Sequence, residues 1–85
     1  MKKKAPKKKT DVENDEYLKK LGKRIKDLRI KKGYTNYEYF AFEHNIGRAQ
    51  YGKYETGGNI QFNTLVKILK ALNITLKDFF SEGFD

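Results

Sequence analysis

Apolar residues return at three- and four-residue steps early in the chain, at Leu18, Leu21, Ile25 and Leu28. That spacing is one face of an amphipathic helix. Lys19, Lys20, Lys23, Arg24 and Lys26 fill the opposite face, and Gly33 ends the helix just after the basic pair Lys31 and Lys32. Its start has two readings. Asn14 or Asp15 can cap it within the acidic cluster Asp11, Glu13, Asp15 and Glu16. Thr10 and Glu13 have capping-box spacing and would begin it a turn sooner. A short second helix is expected from about Tyr37 to Glu43, with Asn36 as N-cap or, by Thr35–Glu38 spacing, one residue earlier. Phe40 and Ala41 face inward. His44, Asn45, Ile46 and Gly47 read as a tight turn into a third helix, about Arg48 to Glu55, with Tyr51 and Tyr54 on its inner side. Gly57, Gly58 and Asn59 form the following loop. Phe62, Leu65, Leu69 and Leu72, widened by Val66 and Ile68, mark a fourth helix that Asn73 ends. Thr75 caps a last one, Leu76 to Phe80. No segment alternates at period two between turn signals, so the expected fold is all-α with five helices.

The chain has 85 residues and no cysteine. One small domain is the ceiling, and its core must come from apolar packing without disulfides or zinc-thiolate sites. No apolar run is long enough to span a bilayer, and no apolar segment follows the basic N-terminus as in a signal peptide. The expected compartment is the cytoplasm, with no membrane partner. The net charge of +8 is unevenly placed. Lys2, Lys3, Lys4, Lys7, Lys8 and Lys9 supply six of the nineteen bases; residues 10–85 carry thirteen bases against eleven acids. Residues 1–10 are expected to be a disordered lysine-rich tail, and 11–85 the folded domain. A tail of this kind either binds a polyanion or simply solvates the protein.

Enzymatic chemistry finds few groups to use. His44 is the only histidine, and its place at a helix end suits a nearby carbonyl better than a catalytic base. Asp27, Glu38 and Asp78 are scattered over polar faces. His44 and Glu43 lack further metal ligands. No catalytic residue, metal or cofactor is expected, and the protein is not expected to be an enzyme. Gly47 to Lys53 match seven of the eight phosphate-loop positions, but Tyr54 replaces the magnesium-binding Ser or Thr and no buried strand precedes them. Among the aromatics, Phe40, Tyr51, Tyr54, Phe62, Phe79 and Phe80 are needed for the core. Tyr34, Tyr37, Tyr39 and Phe42 are left for a surface.

Two short helices joined by a tight turn are the frame of a helix-turn-helix. The stretch LGKRIKDLRIKKG (21–33), the Phe40–Ala41 pair, Ile46, YETGG (54–58) and TLVKILKALNITLKDFF (64–80) make the chain resemble the phage-repressor and Cro, or XRE, family. The resemblance covers nearly everything beyond the tail and implies a repressor-like five-helix domain. It implies that Arg48, Ala49, Gln50, Gly52 and Lys53 face the bases of double-stranded DNA from the third helix. It implies phosphate contacts by Asn36 and Tyr37 at the start of the second helix and by Thr56, Gly57, Gly58 and Asn59 after the third. It also pairs Arg29 with Glu55 as a buried structural ion pair. Gly52 in a helix interior has two accounts, close approach to DNA or tolerance of a poor helix residue. The lysine tail resembles basic arms that lie on phosphates or in the minor groove. The chain departs from the family in a turn one residue longer at Gly33 to Asn36, in Asn45 and Gly47 around Ile46, and in a weakly basic third helix.

The implied function is a sequence-specific DNA-binding transcriptional regulator, most simply a homodimeric repressor. Phe79, Phe80 and Phe84 offer apolar surface for a dimer contact. The alternative is an antitoxin that binds a toxin partner and represses its own operon.

Overall fold

The computed structural model describes residues 9–85, with side chains from Glu13 onward. Its helices are α1 (Lys9–Lys31), α2 (Tyr37–Glu43), α3 (Arg48–Glu55), α4 (Phe62–Leu72) and α5 (Leu76–Phe79), and there is no strand among the described residues. The tail lysines Lys2, Lys3, Lys4, Lys7 and Lys8 lie outside the described residues, and Lys9 is the first residue of α1. Because α1 starts there, Asn14 and Asp15 lie within the helix and are not its caps.

Local chemistry accounts for several of the helix ends. Asn36 caps α2, its side-chain oxygen accepting from the amides of Glu38 at 2.8 Å and Tyr39 at 3.1 Å. Thr75 accepts from the Asp78 amide at the start of α5. Gly33 ends α1 at φ +106 and Asn73 ends α4 at φ +55, left-handed positions that suit glycine and asparagine. Asn45 takes the same conformation (φ +58) in the turn between α2 and α3. There the Ile46 amide donates to the Ala41 carbonyl, and Lys67 of α4 donates to the Asn45 carbonyl. The turn is therefore held from both the α2 and the α4 side.

The core gathers Ile25 from α1, Phe40 and Ala41 from α2, Tyr51 and Tyr54 from α3, Leu65, Ile68, Leu69 and Leu72 from α4, and Phe79 from α5. Leu21, Leu28 and Ile46 pack against it half-buried. Two aromatics assigned to the core are not in it: Phe62 is 64% exposed and Phe80 45%. Phe62 is the first residue of α4 and Phe80 the residue closing α5, so neither side chain has a neighbouring turn to cover it. Conversely, Tyr34, expected at the surface, is half-buried. Its ring meets Phe40 edge-on at 5.0 Å and its hydroxyl donates to Glu43.

Two contacts position α1 against the rest. Gly22 faces the end of α3; a Cβ there would lie 2.3 Å from the Tyr54 carbonyl oxygen, so only glycine permits this approach. Arg24, read from sequence as one more base on a solvated face, turns inward instead. Its guanidinium donates to the carbonyls of Phe79 and Asp78, both at 2.9 Å, and so caps α5.

Candidate nucleic-acid interface

The α2–turn–α3 unit closes around Ala41, which is fully buried. With no side chain beyond Cβ, it lets the two helices pack closely. Tyr51 and Tyr54 anchor the inner side of α3. Arg48, Ala49, Gln50 and Lys53 are consequently left exposed on the outer side, while Gly52 is half-buried. Arg48 lies in the first turn of α3. Its guanidinium stands 3.6 Å from the Glu38 carboxylate, with both side chains largely in solvent. A pair so exposed contributes little to stability and leaves Arg48 able to rearrange.

Beneath this surface lies the Arg29–Glu55 pair. Arg29 Nε donates to Glu55 Oε2 at 2.7 Å and its second nitrogen to Oε1 at 3.0 Å, with side-chain exposures of 4% and 6%. The remaining guanidinium nitrogen donates to the Tyr34 carbonyl. The bidentate geometry ties α1 to the end of α3. The bond to Glu55 raises the Arg29 pKa against the opposing effect of burial. The Tyr51 hydroxyl is sealed beside the pair without a hydrogen bond of good geometry among the described residues. Burial, and then the Glu55 carboxylate, push its pKa far above the ordinary tyrosine value.

A cleft of about 560 Å³ runs along α3, bordered by Ala49, Gly52, Lys53 and Thr56 on one side and by Lys26, Thr35 and Tyr37 on the other. It brings Tyr37 next to the α3 positions. Sequence reasoning missed Lys26 and Thr35, because their proximity to α3 depends on how α1 crosses it.

The loop after α3 is arranged differently from expectation. The amides of Thr56 and Gly58 donate to the Lys53 carbonyl and that of Gly57 to the Tyr54 carbonyl. The Thr56 hydroxyl donates to the carbonyls of Gly52 and Lys53. These donors cap α3 and are not free to bind phosphate. Asn59 borders a separate groove with Asn14, Leu18 and Phe80. Asn36 is exposed, with its oxygen committed to the α2 cap. His44 closes α2; its Nδ1 lies 2.9 Å from the Phe40 carbonyl and its ring packs against that of Phe40. Phe79 is fully buried against Arg24, Phe80 and Phe84, so it cannot serve the dimer contact expected of it; Phe80 and the half-buried Phe84 remain.

Two short helices crossing over a small buried residue, the second presenting an exposed polar face, define a helix-turn-helix module. A helix-turn-helix family model matches residues 25–79, more than half of the chain. The chain belongs to this family, in its XRE form, and is a DNA-binding regulator of that class. Searches of curated proteins and of solved structures returned no significant match. No helix among the described residues is long and apolar enough to cross a membrane.

Proposed function

We propose that the protein is a sequence-specific transcriptional repressor that lays α3 in the major groove of double-stranded DNA. The exposed row Arg48, Ala49, Gln50 and Lys53, fixed to a rigid base by Tyr51, Tyr54 and the Arg29–Glu55 pair, carries this reading. Arg48 at the entering end of the helix suits bidentate bonding to guanine N7 and O6, and Ala49 suits a thymine methyl. Asn36, Thr35 and Tyr37 flank that row and suit the phosphate backbone, which positions without reading sequence. The lysines of residues 2–9 extend the electrostatic contact. The protein acts as a homodimer with half-sites about 34 Å apart. An apolar groove lined by Tyr17, Leu18, Leu21, Phe80 and Phe84 supports a contact there.

Selection from random duplex DNA at two salt concentrations tests the reading. A symmetric enriched motif is expected. Arg48→Ala should relax preference at one base pair of each half-site by about 1–3 kcal/mol and leave the others intact. Salt-sensitive binding with no enriched motif would refute sequence reading. It would point to the antitoxin alternative, whose mark is a tight protein partner that displaces DNA.

A further inference from the structure

Gly52 occupies one of the α3 positions that face DNA under the reading above, yet it offers no side chain. Neither account read from the sequence explains it, because its outward space is already filled from within the molecule. A Cβ on Gly52 would lie 2.8 Å from Tyr37 Cε1 and 3.3 Å from both Cζ and the hydroxyl oxygen of the same ring. The place where a side chain at position 52 would begin is held by Tyr37, delivered from the first residue of α2.

The ring is well supported. It stacks on Tyr51 with centroids 6.3 Å apart and planes 19° from parallel, and Tyr51 is itself fully buried. The backbone at Tyr37 is set by the Asn36 cap. Yet Tyr37 is 38% exposed, and its hydroxyl has no hydrogen-bond partner among the described residues. It opens onto the cleft beside Ala49 and Lys53, two of the other base-facing positions. A phenol hydroxyl both donates and accepts, so the recognition surface has a polar group at its middle although α3 supplies none there.

We propose that Tyr37 is a specificity-determining residue: its hydroxyl takes the place of the missing side chain at position 52 and bonds a base edge between those faced by Ala49 and Lys53. The assignment rests on the DNA-binding reading and moves Tyr37 from the phosphate-contacting set to the base-reading set.

Two experiments test it. In the random-duplex selection, Tyr37→Phe keeps the ring and its stacking but removes the hydroxyl. Preference at one base pair per half-site should fall about 2- to 10-fold, the factor carried by one hydrogen bond, with the rest of the motif unchanged. Equal weakening on all sequences would mark a phosphate contact and overturn the proposal, as would an unaltered profile. Separately, thermal unfolding of Gly52→Ala is compared in the natural background and in Tyr37→Ala. Alanine is the better helix residue. It should lower Tm where the Tyr37 ring fills the space and raise it where the ring is gone. A shift of the same sign in both backgrounds would overturn the packing on which the proposal stands. If the natural protein selects no sequence, the sequence-reading proposal and this assignment fall together, while the thermal comparison still reports whether Tyr37 is seated on Gly52.

Discussion

Arg29 and Glu55 are almost wholly removed from water, and each depends on the other to offset the loss of hydration. Arg29→Ala leaves a buried carboxylate and Glu55→Ala a buried guanidinium. Either should cost about 3–5 kcal/mol, read as a fall in denaturation midpoint at pH 7. A loss below about 1 kcal/mol would show that the pair behaves as an exposed one. Tyr51 gives a pH signature. An unfolded tyrosine loses its proton near pH 10, whereas burial keeps Tyr51 protonated well beyond that. Above pH 10 the unfolded state therefore binds fewer protons, and stability must fall as pH rises. Tyr51→Phe removes this contribution and leaves no buried hydroxyl to satisfy. Its stability should match or exceed that of the natural chain at pH 7, with a shallower decline between pH 10 and 11.

At the scale of elements, helix type and order follow from period and punctuation. The apolar repeats through α1 and α4, the Asn36 and Thr75 caps, and the left-handed stops at Gly33 and Asn73 were all legible. Each depends on residues within about one turn of one another. What was not legible is how elements meet. Nothing in the α1 repeat marks Gly22, against which the α3 carbonyls pack. Gly22→Ala gains helix propensity but drives a methyl into backbone that cannot rotate away. It should lower Tm, and a rise would show that α1 and α3 are not in this contact. The same blindness applied to Arg24, whose partners are the α5 carbonyls. The loop after α3 differs for a local reason: its amides fold back onto the Lys53 and Tyr54 carbonyls and cap α3.

For the molecule as a whole, charge is unevenly placed along the chain. Six lysines lie within residues 2–9, while the folded part is nearly neutral. α3 itself carries only Arg48 and Lys53 as cations. Deleting residues 2–8 should therefore weaken binding to every DNA sequence and reduce the log–log salt slope by about 0.9 for each lysine that was engaged, leaving the selected motif intact. An unchanged slope would make the tail a solubility device. The groove between α1 and the C-terminal aromatics belongs to this scale too. Phe80→Ser removes exposed apolar surface at the cost of one edge-on ring contact to the buried Phe79. It should shift the protein toward monomer in sedimentation and cost half-site cooperativity, and an unmoved mass would place the dimer contact elsewhere.

The amino-acid sequence alone determined the all-helical class, the approximate bounds of α2 to α5, the helix-turn-helix resemblance and the exposed row Arg48, Ala49, Gln50 and Lys53. The class and the bounds rest on hydrophobic period and on capping within a turn or two, set by residues adjacent along the chain, while the α3 row was what the family resemblance implied. Tertiary structure decided what fills the space over Gly52, what rests on Gly22, which donors after α3 remain free, and which of Phe62, Phe79 and Phe80 is buried. The contacts over Gly52, on Gly22 and at Phe79 join residues 15 to 55 positions apart. A difference of one methyl group in such a contact is enough to decide them, and no periodicity in the chain records it.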